Sequence, residues 1–198
     1  MLTLLEELEA PYTLRILNMK AGEQRQPDFL AVNPLGKVPT LLDGDTVVTE
    51  QAAIFIHLAD VFREAKLAPA LDDPRRGAYL RWLAFYAASY EPALVDRFLE
   101  RAPADPMHTS YGDFDTMLSV LETQLAATPH LLGDSISAAD VLWGVALSWC
   151  IAFGIVPARP VLVEYAQRIS ARPAAQRVAE RDAGLAAAQE AAMKDLRS

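Results

Sequence analysis

The segment at residues 137–153 places the tightest constraint on what this 198-residue chain can fold into. Apolar residues occupy every side of the helix that this segment predicts, which is typical of a helix buried at the centre of a domain. A buried helix cannot leave its first N–H groups to water. The residues Ile136-Ser137-Ala138-Ala139-Asp140-Val141 predict a capping box in which Ser137 and Asp140 bind each other's backbone N–H, flanked by a hydrophobic staple. The sequence therefore predicts a bundle packed around this helix.

The chain divides into two parts with different patterns. Residues 74–198 show helical spacing of apolar residues to about residue 180, whereas residues 1–63 mix short β-type runs with turns. Residues 64–73 predict a linker, because Asp73-Pro74 is typical of an N-cap followed by proline at the first helical position. We therefore expect an α+β protein with a mixed domain at 1–63 and an all-α helical bundle at 74–198. The predicted elements are helices at 2–8 and 50–62, strands at 12–17, 38–42 and 46–48, and helices at 74–101, 111–127, 137–153, 161–170 and 173–180.

Charge and composition exclude several function classes. Acidic residues outnumber basic ones by 26 to 18, and the resulting charge of −8 is unsuited to binding a phosphate backbone. The single Cys leaves no disulfide framework and suits a reducing compartment. No apolar run reaches the roughly 18 residues of a membrane span, and the acidic start lacks the basic region of a signal peptide. We therefore expect a cytoplasmic protein that binds neither nucleic acid nor membranes.

Two motifs in the first part are typical of a binding site for an amino-acid end group. In Asn-Pro-Leu-Gly-Lys-Val-Pro-Thr-Leu, residues 33–41, a cis Val38–Pro39 bond would expose both backbone groups of Val38 to a ligand. At residues 46–54 a strand runs into a helix that opens with Glu50 and Gln51. The free N–H groups of its first turn attract a carboxylate, while Glu50 attracts an ammonium group. The alternative is that Glu50 only complements the helix dipole.

Metal and nucleotide chemistry find no support in the sequence. The three His residues have no Cys or His partners at the spacing that metal sites use. Gly-x-Gly-x-x-Gly, P-loop and His-Glu-x-x-His motifs are absent from the sequence, and we expect no metal. Cys150 lies within the predicted central helix, and we interpret it as a residue of the core.

The order of these motifs resembles that of the glutathione transferase family. The segments NPLGKVPTL, TEQAAIFIHLADVF, YLRWLAFYAASYEPAL and ISAADVLWGVAL follow the family's order, and the resemblance extends from Met1 to about Arg181. In this family the first domain is thioredoxin-like and holds glutathione, and the second domain is helical. The resemblance therefore implies glutathione as co-substrate and a small electrophile as the second substrate.

The resemblance also assigns roles to single residues. Val38 would pair through its backbone with the cysteinyl unit of glutathione, and Pro39 would be cis. Glu50 and Gln51 would hold the γ-glutamyl end, and Lys37 would lie near the glycyl end. The family more often has Ser or Asp where Gln51 stands, but an amide also donates hydrogen bonds to a carboxylate.

The function implied is a glutathione S-transferase that conjugates the glutathione thiolate to hydrophobic electrophiles, with detoxification as the expected role and a homodimer as the expected assembly. Tyr86, Ser89 and Tyr90 are candidates for the electrophile site, and Trp149 and Phe153 are further candidates. An aromatic stripe of this kind also suits a core or a dimer interface. The alternatives are a non-catalytic binding protein of the same fold, or a glutathione-dependent isomerase or dehalogenase.

Family members normally have a strand and a loop ahead of the helix that begins here at about residue 2, and that loop carries the Tyr, Ser or Cys that acts on the sulfur. No catalytic residue is therefore assigned in this chain. By the resemblance, the strand lies between residues 12–17 and 38–42, and each backbone group left buried without a partner costs about 1–3 kcal/mol. Either the natural start lies upstream, or this chain omits residues, or the sheet is rebuilt with material from elsewhere. We expect the first, with an intact gene product that is longer by roughly 10–20 residues, about one strand and a turn.

Overall fold

The structure, a computed structural model, describes residues 1–102 and 104–195; residues 196–198, at the end of the predicted helical domain, lie outside it. Helices and one β-hairpin account for its regular elements. In chain order these are α1 (Leu2–Glu7), α2 (Pro27–Leu30), β1 (Leu41–Asp43), β2 (Thr46–Val48), α3 (Gln51–Val61), α4 (Arg76–Phe85), a π-helical turn (Tyr86–Tyr90), α5 (Glu91–Phe98), α6 (Phe114–Ala127), α7 (Ala138–Ala152), α8 (Pro160–Ser170) and α9 (Pro173–Asp195).

The predicted hairpin is confirmed. Strands β1 and β2 are antiparallel, with Leu41 opposite Val48 and Asp43 opposite Thr46. Gly44 lies in the turn between them with φ 57°, a conformation that glycine adopts without strain. Strand β1 begins at Leu41 rather than at residue 38, because pairing with β2 starts only there.

The strand predicted at residues 12–17 is wrong. These residues have no regular structure, and no segment of the described chain pairs with them. Alternating side chains predict which face of a strand is apolar, but the strand itself forms only when a neighbouring backbone supplies its hydrogen bonds. A cleft of about 1140 Å³ lies here instead, and the residues that line it include Leu14, Ile16, Val38, Leu41 and Leu58.

Helix α7 is the centre of the core, as the sequence predicts. It packs against α8, α3, α1 and α4, and Trp143 and Leu147 on it are fully buried. The indole N–H of Trp143 donates to the Trp82 carbonyl oxygen at 3.0 Å, which ties α7 to α4. Gly144 allows α8 to approach closely, since a Cβ at that position would lie 2.4 Å from the Cβ of Ile169.

The start of α7 is held by a buried carboxylate. The capping box between Ser137 and Asp140 is present, and the Ser137 N–H donates to Asp140 Oδ2 at 2.8 Å. Oδ1 of Asp140 accepts from the Leu131 N–H at 2.8 Å and from the Tyr165 hydroxyl at 2.9 Å. Asp140 is fully buried, so the same carboxylate joins the preceding loop, α7 and α8.

The prediction of one regular α-helix over residues 74–101 is corrected by the π-helical turn between α4 and α5. Pro92 explains the irregularity, because it has no N–H to donate to the carbonyl of Ala88 four residues earlier. That carbonyl accepts a hydrogen bond from the Ser110 hydroxyl instead. The wider turn therefore arises where the α-helical hydrogen-bond ladder cannot continue.

Helix α9 is longer than the segment predicted at 173–180 because it docks on α1. Arg172, just before α9, binds both carboxylate oxygens of Glu7 at 2.6 Å, and Arg177 binds Glu6 at 2.9 Å. These ion pairs join the last helix of the chain to the first. In the part of the chain that the structure covers, no helix combines the length and apolar character that crossing a membrane requires.

Candidate functional site

The loop before β1 contains the predicted cis Val38–Pro39 bond, which is confirmed. The buried side chain of Asn33 organises this loop: its Nδ2 donates to the Lys37 carbonyl at 2.9 Å, and its Oδ1 accepts from the Leu35 N–H at 3.1 Å. Sequence reasoning treated Asn33 only as part of a turn. Val38 is about half-exposed, and its N–H and C=O have no backbone partner within the described residues. Both groups are therefore free to pair with a ligand.

The N-terminus of α3 is the second part of the site. Glu50 is its N-cap residue and has φ 63° and ψ 117°, a strained conformation for a residue other than glycine. Such backbone strain costs about 1–3 kcal/mol and clusters at functional sites. No side chain caps the first N–H groups of α3 in the described structure, and Glu50 is exposed. These N–H groups and the helix dipole can attract an anion, and a carboxylate lies beside them.

Two cavities meet at Gln51. The large cleft is lined by Gln51 together with Val38 and Pro39. A smaller cavity of about 140 Å³ is lined by Gln51, Tyr86 and Trp149. The structure thus places a predicted glutathione-binding residue and a predicted electrophile-site residue on the walls of one cavity. Lys37 is exposed and lines neither cavity.

The three aromatic-stripe candidates have different surroundings. Tyr86 is buried at the wall of the smaller cavity. Tyr90 is fully buried, and its ring centroid lies 4.7 Å from that of Trp143 in the core. Ser89 is also buried, and its hydroxyl donates to the Ser110 carbonyl oxygen at 3.3 Å.

Trp149 and Phe153 lie at the C-terminal end of α7. Both are exposed, and their ring centroids are 5.2 Å apart. They form an apolar surface that begins at the smaller cavity, because Trp149 lines that cavity.

Burial controls protonation around the smaller cavity. It raises the pKa of Tyr86, so this hydroxyl stays protonated at neutral pH and can donate a hydrogen bond. Burial also raises the pKa of Glu91; the Tyr86 hydroxyl partly opposes that rise, and the Glu50 carboxylate adds to it. Burial raises the pKa of the Cys150 thiol, while the nearby Tyr90 hydroxyl acts in the opposite direction.

Metal coordination has no candidate here: the residues that the structure describes contain no group of three or more His, Cys, Asp or Glu placed to hold an ion. His57 on α3 instead forms a 2.7 Å contact with Asp43 at the end of β1. This contact joins the hairpin to the helix whose N-terminus has no side-chain cap in the described structure.

The fold is a thioredoxin-like domain joined to a helical domain. The features that define it are a cis-proline loop, a strand that leads into an uncapped helix N-terminus, and an all-helical bundle that follows. Residues 1–60 match the family model described as "Glutathione S-transferase, N-terminal domain". Glutathione S-transferase F10 of Arabidopsis thaliana is 35% identical over 151 residues, which are 70% of this chain and 69% of that protein.

Solved structures agree with this match. A glutathione transferase from Methylococcus capsulatus superimposes with a TM-score of 0.77 at 31% identity, over 92% of both chains. A sphingomonad glutathione S-transferase complexed with glutathione has a TM-score of 0.76 at 31% identity, again over 92% of both chains. The chain belongs to the glutathione S-transferase family.

Proposed function

We propose that this protein binds glutathione and transfers its thiolate to small hydrophobic electrophiles. The observation that supports this most directly is that Val38, Pro39 and Gln51 line one cleft, beside a helix N-terminus that has no side-chain cap in the described structure. Backbone pairing at Val38 suits the cysteinyl peptide unit. The α3 N–H groups and Gln51 suit the γ-glutamyl carboxylate, Glu50 suits the γ-glutamyl ammonium, and Lys37 suits the glycyl carboxylate.

The chemistry follows from the thiol. A free thiol has a pKa near 8.5 and is mostly protonated at neutral pH, whereas the thiolate is the nucleophile. A hydrogen-bond donor to the sulfur favours the anion. The thiolate then forms the S–C bond, and the leaving group departs with its electron pair. The electrophile would lie against the aromatic side chains of Tyr86, Trp149 and Phe153. Tyr86 and Trp149 line the smaller cavity together with Gln51, which belongs to the proposed glutathione site.

The proposed assembly is a homodimer in the cytoplasm, with a role in detoxification. Large apolar side chains are exposed on the helices of the second domain, and burial of such residues is what a self-complementary interface requires. They are Leu80, Val95, Phe98 and Val120. Equilibrium sedimentation should give a mass about twice 21.7 kDa. A mass of one chain at working concentration would contradict the dimer.

The proposed function is tested by retention on immobilised glutathione and by conjugation of 1-chloro-2,4-dinitrobenzene. Glu50→Gln keeps the size of the side chain and removes its charge, so we expect the variant to lose retention. Glu64→Gln, an exposed position just beyond the C-terminal end of α3, is the matched control and should be retained like the wild type.

Equal retention of the Glu50→Gln variant and the wild type would contradict the assigned ammonium site. If the wild-type protein is retained but conjugates neither this electrophile nor related haloaromatics, it is a binding protein rather than a transferase. If the wild type is not retained at all, glutathione binding itself is excluded.

A further inference from the structure

The smaller cavity has room for a single aromatic ring. Its volume is about 140 Å³, and an engineered apolar cavity of roughly 150 Å³ stays dry and binds benzene. Phe55 of α3, Tyr86 of the π-helical turn and Trp149 of α7 line it, together with four aliphatic residues of α7. Aromatic side chains make edge and stacking contacts with an aryl group, which add to the burial of apolar area. The walls therefore suit an aryl group.

The smaller cavity borders the cleft in which we place glutathione. Thr3, Gln51 and Val145 line both of them. Thr3 and Gln51 bring polar side chains to this boundary, and Val145 brings an apolar one. An aryl group in the smaller cavity therefore lies next to the cleft, and a reactive carbon attached to its ring lies at the boundary that these residues form.

Ala146 has the smallest side chain on the walls of this cavity. It lies on α7, which packs against α8, α3, α1 and α4. Leu142 lies one turn earlier on the same helix face and is almost fully buried. Since the core is close-packed, α7 cannot move outward to enlarge the cavity. The side chain at position 146 therefore determines how much of the cavity is open to a ligand.

We propose that the electrophile site selects substrates with a single aromatic ring, and that Ala146 is a specificity-determining residue for them. This inference rests on the proposed function. When the reactive carbon lies at the boundary with the cleft, a second fused ring points into walls that belong to the core and forces them to shift. An open apolar surface would instead favour the larger substrate, because it buries more apolar area. The two arrangements therefore predict opposite orders of preference.

The test compares benzyl chloride with 2-(chloromethyl)naphthalene, which carry the same reacting group on one ring and on two fused rings. In both, the thiolate forms the S–C bond at the methylene carbon, and chloride leaves with the electron pair of the C–Cl bond. Each kcat/KM is divided by the rate constant of the uncatalysed reaction with glutathione. We expect the resulting value for benzyl chloride to be higher by about tenfold or more in the wild type.

The matched variants place the same new side chain inside and outside the cavity. Ala146→Leu puts an isobutyl group in place of a methyl group on the cavity wall, and it should lower kcat/KM for benzyl chloride by about tenfold or more. Ala152→Leu, at an exposed position on α7 that lines neither cavity, is the control and should leave kcat/KM unchanged.

Equal or higher efficiency with the two-ring substrate in the wild type would overturn the proposal, and so would an unchanged kcat/KM for benzyl chloride in Ala146→Leu. If Ala146→Leu does not fold, the comparison of the two substrates in the wild type decides alone. Equilibrium dialysis with benzyl alcohol and 2-naphthalenemethanol gives a second readout that requires neither glutathione nor turnover.

This second readout separates the size limit from the proposed function. If no conjugation occurs, the proposed transferase activity fails. The size limit then stands only if the wild type binds benzyl alcohol more tightly than 2-naphthalenemethanol and Ala146→Leu weakens the binding of benzyl alcohol. Any other result of the dialysis overturns it.

Discussion

Asp140 provides the most quantitative test of how this fold is held together. Replacing it with Ala removes the acceptor for the backbone N–H groups of Leu131 and Ser137 and for the hydroxyls of Ser137 and Tyr165. All three of these residues are buried, so water cannot take the place of the lost carboxylate. The substitution leaves the donors without partners rather than only removing favourable contacts.

The expected cost follows from counting those donors. Each buried group that loses its partner costs about 1–3 kcal/mol, so four of them cost about 4–12 kcal/mol. A whole domain is stable by only about 5–15 kcal/mol. With a urea slope of about 2 kcal/mol per molar, the lower figure alone moves the unfolding midpoint down by about 2 M. At the upper figure, the variant does not fold.

The assay is urea unfolding followed by tryptophan fluorescence, with Asp113→Ala as the matched control. Asp113 also caps a helix, but its carboxylate is exposed and accepts one backbone bond, from the Thr116 N–H at 2.9 Å. Its loss should cost about 1 kcal/mol. If Asp140→Ala fails to fold, Tyr165→Phe can be measured in its place, because it removes one donor to the carboxylate and leaves the carboxylate itself. Equal midpoint shifts for Asp140→Ala and Asp113→Ala would refute the reasoning.

Two further predictions concern α7. Gly144→Ala should lower the free energy of unfolding by about 1–3 kcal/mol or more, because the new Cβ would lie 2.4 Å from Ile169. The control is Gly77→Ala, where nothing lies within 4 Å of the new Cβ, and this substitution should be neutral or stabilising. Equal effects of the two substitutions in thermal unfolding would contradict this account. The pKa of Cys150 is raised by burial, so the rate of its reaction with Ellman's reagent should rise with pH through a midpoint above the free-thiol pKa of about 8.5. A midpoint at or below that value in the folded protein would show that burial does not suppress the thiolate.

The aromatic stripe shows why the functional site is harder to predict than the fold. Tyr86 and Tyr90 have the same residue type and lie on one predicted helix face, yet only Tyr86 lines the cavity with Gln51. Tyr90 packs on Trp143, which comes from a helix distant in sequence. Helical spacing determines which side chains share a face, but it does not determine which neighbours will cover each turn of that face.

The site residues from the first domain were easier to predict, because their geometry is local. The cis bond at Pro39, the hairpin around Gly44 and the open N-terminus of α3 all depend on residues close together in the chain. Asn33 was not singled out. Its importance arises from hydrogen bonds across a loop, which have no periodic signal in the sequence.

By itself the sequence determined the features that are stabilised by interactions between residues close together in the chain. These are the capped apolar helix α7, the turn of the hairpin and the cis-proline loop. The tertiary structure decided the rest. Residues 12–17 have the alternation of a strand and remain irregular, because backbone pairing requires a second segment beside them. Helix α9 extends to Asp195, and its first turns dock on α1 through ion pairs to Glu6 and Glu7. The local sequence pattern determines which secondary structure a segment can form, and the free energy of its contacts with distant segments decides whether that structure forms.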